Sequence, residues 1–204
     1  MTDATPEPGS PRMVVVLGAP RSGTTWLQHL LASHPLVATM PEPHLFALYV
    51  YPLLQTWDRQ RAEVSAAVDS LSRGCAPPDR LVGLPACLTE AEVQRALAGL
   101  LQPIVDRVMS AAPATRAVVE KTPSNSLVVP YIERVVPGAL YIHIIRDPRS
   151  VVTSLVDVAR SWGRSWAPRS AAAAALMWRA HVVGATEARA FPDRYIELRY
   201  EDLR

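Results

Sequence analysis

The fold of this 204-residue chain is decided by one stretch, Val14-Val15-Val16-Leu17-Gly18-Ala19-Pro20-Arg21-Ser22-Gly23-Thr24-Thr25-Trp26-Leu27. Its first four residues are apolar and mostly β-branched, which predicts a buried parallel strand. The strand breaks at small residues, and a helix-forming segment resumes at Trp26. The first turn of a helix has free N–H groups and partial positive charge. A strand, a tight turn and a hydroxyl-rich helix start therefore predict an anion-binding pocket.

An arginine supplies the charge of this loop. Gly18 and Gly23 have the spacing of the phosphate-binding motif G-x-x-x-x-G-K-[ST], but Thr24 stands where that motif has its lysine. Arg21 instead brings a permanent cation with forked donors that match phosphate or sulfate oxygens. Gly23 is expected to let the backbone approach the anion. Further donors are the hydroxyl groups of Ser22, Thr24 and Thr25. The alternative interpretation is an ordinary strand–helix turn.

A proline-flanked acidic loop follows the first helix. Pro41-Glu42-Pro43-His44 holds a carboxylate and an imidazole two residues apart on stiff backbone. A carboxylate and an imidazole can both perform acid–base chemistry. Glu42 and His44 are therefore candidate bases, with a surface turn as the alternative.

A second apolar strand, 117–120, ends in Glu120-Lys121-Thr122-Pro123. In open α/β sheets, ligands bind beyond the carboxyl ends of the strands. We therefore expect Lys121 at the same edge as the Arg21 loop, with Glu120 as an ion-pair partner. The alternative is a solvent-exposed lysine before a helix predicted from Pro123 to Val136.

The third strand, 139–145, is followed by Arg146-Asp147-Pro148. Asp147 is a favourable N-cap and Pro148 suits the first helical position. Ser154 lies two helical turns further on. An arginine at a strand end and a serine on the next helix can hold one phosphate from two sides. The alternatives are a salt bridge to Asp147 for Arg146 and an isolated helix hydroxyl for Ser154.

Bulk properties exclude several classes of protein. The formal net charge of +2 argues against nucleic-acid binding, and no apolar run is long enough to span a membrane. Residues 1–12 are polar and contain prolines, which predicts a disordered tail and no signal peptide. Cys75 and Cys87 are too few for a zinc site or a disulfide framework, so we expect no metal and a reducing, cytoplasmic location.

Four motifs resemble those of the sulfotransferases that use 3′-phosphoadenosine 5′-phosphosulfate (PAPS). They are the loop Arg21–Thr25, the segment Glu120–Pro123, Arg146-Asp147-Pro148 with Ser154, and the terminal Tyr200-Glu201-Asp202-Leu203. They occur in the family's order over residues 13–203. The pattern is more similar to the bacterial and tyrosylprotein-type branch than to the cytosolic phenol and steroid enzymes.

The resemblance implies a role for each motif. The 5′-phosphosulfate would be held by Arg21, Ser22, Gly23, Thr24, Thr25 and Trp26. The 3′-phosphate would be selected by Arg146 and Ser154. The base would be Glu42, with His44 in reserve because the cytosolic enzymes use a histidine. Lys121 and Arg21 would stabilise the transition state. Apart from the resemblance, the basic and aromatic residues of segment 161–168, with Trp162 and Trp166, predict a flexible loop that closes over nucleotide or acceptor.

The predicted fold is a three-layer α/β, P-loop-like domain over residues 13–204, with a central parallel sheet and helices on both faces. Members of the family normally continue past the last strand with further helices, so the chain is expected to be a truncated gene product, a fragment or a minimal variant. The predicted reaction moves a sulfuryl group from PAPS to a hydroxyl or phenol of a small-molecule, peptide or glycan acceptor, without a metal. Acceptor identity and oligomeric state stay open. The alternatives are a small-molecule P-loop kinase and a catalytically inactive PAP- or PAPS-binding remnant, PAP being adenosine 3′,5′-bisphosphate.

Overall fold

The computed structural model describes residues 12–40, 42–72 and 83–203. These residues form a five-stranded parallel sheet in the order β2-β3-β1-β4-β5. The strands are β1 Arg12–Leu17, β2 Val37–Thr39, β3 Ala117–Glu120, β4 Leu140–Ile145 and β5 Tyr195–Arg199. Residues 1–11 of the predicted tail lie outside the described residues. The tail prediction is wrong at Arg12, which pairs with Ala117 as the first residue of β1.

Six α-helices connect the described strands. They are α1 Thr24–Ala32, α2 Tyr51–Ser72, α3 Glu90–Ala111, α4 Val129–Val135, α5 Pro148–Arg160 and α6 Ala171–Ala185. The helix predicted from Pro123 to Val136 is instead a 3-10 turn, Pro123–Leu127, followed by α4. Pro130 explains the break, because proline lacks an N–H and is tolerated only in the first turn of a helix. No helix in the described ranges combines the length and the apolar character needed to cross a membrane.

The two faces of β1 are buried in different cores. Val15 and Leu17 pack with the apolar faces of α2, α3 and α4, whereas Val14 and Val16 pack with Leu27 of α1. Alternate residues of a strand point to opposite faces of its sheet, so the apolar run needs a helical layer on each side. The structure thus confirms the predicted three-layer α/β architecture.

The strand order places the candidate residues side by side. The chain moves from one side of β1 to the other between β3 and β4, so β1 lies at the point where the strand order reverses. Open α/β sheets bind ligands at this point, beyond the carboxyl ends of the strands. The loops after the adjacent strands β2, β3, β1 and β4 carry, in that order, Glu42, Lys121, Arg21 and Arg146.

Candidate active site

The loop after β1 presents unpaired donors at the start of α1. The first backbone hydrogen bond of the helix joins Leu27 N–H to the Gly23 carbonyl at 2.9 Å. The N–H groups of Thr24, Thr25 and Trp26 precede it and therefore have no helical partner. Ser22 is buried, and its Oγ has no hydrogen-bond partner among the described residues. The predicted anion pocket thus has its donors in place, and α1 begins two residues earlier than the sequence suggested.

Two candidate residues have strained backbone. Arg21 (φ 71°) and His44 (φ 51°) are the non-glycine residues with positive φ in the described chain. Side chains other than glycine seldom adopt this conformation, and such strain concentrates at ligand-binding sites. Arg21 and His44 line the same cavity, which supports the assignment of both to the site.

Two clefts open at the carboxyl edge of the sheet. The phosphate cleft, of about 620 Å³, is lined by residues that include Arg21, Arg146, Arg149, Ser150 and Ser154. The reaction cleft, of about 540 Å³, is lined by residues that include Arg21, Glu42, His44, Lys121 and His181, with Trp162, Trp166 and Met177 on its apolar side. Arg21 lines both clefts.

Arg21, Arg146 and Ser154 are directly connected in the phosphate cleft. Arg21 Nε donates to Ser154 Oγ at 2.9 Å, and the Arg146 guanidinium donates to the Arg21 carbonyl at 3.1 Å. Arg146 and Ser154, which the sequence places two helical turns apart, thus line one cleft and both contact Arg21. The alternative salt bridge from Arg146 to Asp147 is not formed.

Asp147 caps the N-terminus of α5, as its position before Pro148 predicts. Its carboxylate accepts from the N–H groups of Arg149 and Ser150, and it pairs with the Arg149 guanidinium at 2.8 Å. These contacts, led by the Arg149 side chain, lower the pKa of Asp147 to about 2. Arg149 was not among the predicted site residues; its only sequence signal is a second arginine three positions after Arg146.

Lys121, Glu42 and His44 form a chain of polar contacts in the reaction cleft. Lys121 Nζ donates to Glu42 Oε1, and His44 Nε2 lies 3.6 Å from Glu42 Oε2. The Lys121 side chain is 3% exposed and the Glu42 side chain is 37% exposed. The candidate base Glu42 is therefore accessible from the cleft, whereas the cation that pairs with it is buried. The predicted ion pair between Lys121 and Glu120 is wrong, because the loop after β2 brings Glu42 to the lysine instead. Pro41 lies outside the described residues.

Glu120 is fully buried near this pair. Its carboxylate accepts from Thr122 Oγ1 at 2.5 Å and from Asn125 Nδ2. Burial raises the pKa of Glu120 to about 7, against the lowering effect of the two hydrogen bonds. The same turn places Ser126 Oγ 2.8 Å from Gly18 N, from which it accepts a hydrogen bond. The strand end that carries Lys121 is thus tied to the phosphate-binding loop.

Glu120→Gln is expected to alter the pH dependence of stability. A carboxyl whose pKa rises from 4.5 in the unfolded chain to about 7 in the fold stabilises the protein below pH 4.5 and loses this contribution as pH rises through 7. The loss has an upper bound of about 3 kcal/mol. Because the buried histidines His143 and His181 have lowered pKa values and act in the opposite direction, the comparison between variants carries the test. Urea unfolding across this pH range should show that stability changes less favourably with rising pH in the wild-type protein and in the exposed control Glu63→Gln than in Glu120→Gln. Equal slopes in all three proteins would contradict a neutral buried Glu120.

Tyr200 lies against the phosphate-binding loop. A Cβ at Gly23, whose φ is 90°, would overlap the Tyr200 ring. The ring also stands edge-on to Trp26, at 6.0 Å between centroids, and beneath the Arg146 guanidinium at 4.5 Å. Gly23, expected to admit an anion, therefore also makes room for Tyr200. Sequence reasoning placed Tyr200 in a motif but gave it no role in the site.

His181 is a further functional candidate that sequence reasoning missed. It lies in α6 and lines the reaction cleft with the predicted tryptophans of segment 161–168. An isolated histidine in an alanine-rich helix carries no local pattern, so no signal in the sequence marks it. Within the described residues, no group of three or more His, Cys, Asp or Glu side chains could hold a metal ion.

Comparisons with known proteins identify the family of the chain. A sequence model described as the Sulfotransferase family matches residues 11–204. The nodulation protein NoeE from Sinorhizobium fredii (strain NBRC 101917 / NGR234) is 30% identical over 156 residues. This match covers 75% of the chain but only 32% of NoeE, so the chain spans about a third of that relative.

Solved sulfotransferase structures share the fold. The sulfotransferase domain from the Synechococcus PCC 7002 olefin synthase aligns with a TM-score of 0.58 at 22% identity, over 97% of this chain and 70% of that domain. The sulfotransferase domain from the curacin biosynthetic pathway aligns with a TM-score of 0.57 at 24% identity, over 95% of this chain and 68% of that domain. Because the family model covers nearly the whole sequence, this chain belongs to the Sulfotransferase family.

Proposed function

We propose that this protein transfers a sulfuryl group from PAPS to a hydroxyl group of an acceptor and releases PAP. One observation carries the proposal: Arg21 lines both the phosphate cleft and the reaction cleft. A nucleotide with phosphate groups at both ends of its ribose can therefore lie across this arginine. Its 3′-phosphate would occupy the phosphate cleft and its phosphosulfate would face the reaction cleft.

The residues present fit this donor at both ends. The free N–H groups at the start of α1 and the unpartnered Oγ of Ser22 suit the 5′-phosphate. Arg146 and Ser154 suit the 3′-phosphate, because guanidinium groups bind phosphate through paired, charge-assisted hydrogen bonds. Trp26, which is 41% exposed beside the phosphate-binding loop, offers an indole face for the adenine ring. PAPS supplies an activated sulfuryl group on a phosphate leaving group.

The reaction cleft supplies the acid–base chemistry and the charge stabilisation. Glu42 takes the proton of the acceptor hydroxyl as the oxygen of that hydroxyl bonds to sulfur. The bond between sulfur and the bridging phosphate oxygen breaks, and that oxygen leaves with PAP. Arg21 and Lys121 stabilise the negative charge on the sulfuryl and bridging oxygens. His44, 3.6 Å from Glu42, is the alternative base.

Calorimetric titration with PAP, AMP and Mg²⁺-ATP tests the proposal. PAP is expected to bind about 10- to 150-fold more tightly than AMP, because charge-assisted hydrogen bonds to the 3′-phosphate contribute about 1.5–3 kcal/mol. Incubation with PAPS and a panel of alcohols and phenols should then yield sulfated product and PAP. A preference for Mg²⁺-ATP would favour the kinase alternative. Tight PAP binding without transfer to any acceptor would favour the inactive nucleotide-binding alternative.

A further inference from the structure

His181 lines the reaction cleft but has no part in the proposed reaction. It is 6% exposed, and its Nδ1 lies 2.8 Å from the Met177 carbonyl oxygen, one helical turn earlier. A carbonyl only accepts hydrogen bonds, so Nδ1 carries the ring hydrogen. Burial lowers the pKa of His181, which keeps the ring neutral at neutral pH. Nε2 therefore has a free lone pair, and it has no hydrogen-bond partner within the described ranges.

Close packing fixes His181 relative to the other residues of the cleft. Gly184, one turn after His181, packs directly on the turn after β3, where a Cβ would overlap the Ser126 carbonyl oxygen. Ser126 Oγ in turn accepts a hydrogen bond from Gly18 N at 2.8 Å. Helix α6 thus packs against the turn that also contacts the phosphate-binding loop. This packing positions the backbone of His181 relative to the strand end that carries Lys121, so its Nε2 can discriminate between ligands by geometry.

The hydrogens available on the sulfuryl acceptor decide which group can bind His181, given the proposed function on which this inference rests. A hydroxyl group has one hydrogen, and Glu42 takes that of the reacting hydroxyl. His181 Nε2 accepts hydrogen bonds, so its partner must be a hydrogen-bond donor other than the reacting hydroxyl. We infer that His181 Nε2 accepts a hydrogen bond from a second hydroxyl group of the acceptor. Trp162 and Trp166, whose ring centroids lie 5.6 Å apart on the apolar side of the cleft, suit a ring. The protein therefore selects rings that carry at least two hydroxyl groups.

Small probes test this selection without knowledge of the natural acceptor. The PAP-saturated protein is titrated with phenol and with the 1,2-, 1,3- and 1,4-dihydroxybenzenes. The side-chain nitrogens of the histidines are followed by NMR. The best diol is expected to bind about fivefold more tightly than phenol, since one neutral hydrogen bond contributes about 1 kcal/mol. On binding, the His181 Nε2 resonance should move towards that of a protonated nitrogen.

Variants separate hydrogen bonding from packing. In His181→Asn, whose shorter side chain has no hydrogen-bond acceptor at the position of Nε2, the preference for the diol should disappear. In His181→Gln, which places an amide oxygen further along the side chain, part of the preference should return. His29→Asn, on the exposed side of α1, is the matched control and should keep the full preference.

The outcomes distinguish this inference from the proposed function. If no diol binds more tightly than phenol, or if Nε2 of His181 does not move with any of the three diols, the inference is wrong. An unchanged diol preference in His181→Asn would overturn it as well. A wild-type protein that does not bind PAP would overturn the proposed function itself. The wild-type NMR experiment stands even where a His181 variant fails to fold.

Discussion

Glu42→Gln is expected to lower kcat for sulfuryl transfer about 10²- to 10⁴-fold, the contribution typical of a positioned general base. Glutamine fills the same space but cannot take the acceptor proton. Affinity for PAP should change little, because Glu42 lines the reaction cleft and not the phosphate cleft. Initial rates with PAPS and the best acceptor from a hydroxyl-compound screen provide the measurement, and calorimetry with PAP provides the comparison.

Two controls are needed because Glu42 also pairs with Lys121. Removing one partner leaves the other as a nearly buried charge without compensation, which destabilises a protein. Thermal unfolding of Glu42→Gln, alone and combined with Lys121→Met, separates that loss of stability from the loss of rate. His44→Gln tests the alternative base. If His44→Gln abolishes transfer while Glu42→Gln leaves kcat within about threefold of wild type, too little for a lost general base, then the histidine takes the proton.

Local sequence patterns predicted the elements that position the site. The run Val14–Leu17 is apolar on both faces, which requires helices on both sides of the strand, and the structure has them. The strand ends were equally clear, because Lys121 and Arg146 each follow an apolar run. Parallel strands bring their carboxyl ends to one edge, so neighbouring loops could be expected to converge there.

Contacts between distant segments could not be predicted in the same way. Lys121 has Glu120 as its sequence neighbour, yet it pairs with Glu42, 79 residues away. The adjacent Glu120 carboxylate is buried and accepts hydrogen bonds from Thr122 and Asn125 instead. The contact of Tyr200 with Gly23 also depends on β4 lying beside β1 and on β5 lying beside β4. Such pairings follow from strand order, which local patterns leave undetermined.

Arg146→Ala is expected to weaken PAP binding about 10- to 150-fold, the loss of a charge-assisted interaction worth about 1.5–3 kcal/mol, and to leave AMP binding nearly unchanged. The loss of affinity must be compared between PAP and AMP, because the Arg146 guanidinium also donates to the Arg21 carbonyl and covers the Tyr200 ring. A loop that simply loses its shape would bind both nucleotides less well. Arg149→Ala is the matched control in the same cleft, since that side chain is 91% exposed and already paired with Asp147. Calorimetric titrations that show equal losses for PAP and AMP would assign Arg146 to the shape of the loop, and a selective loss for PAP would assign it to the 3′-phosphate.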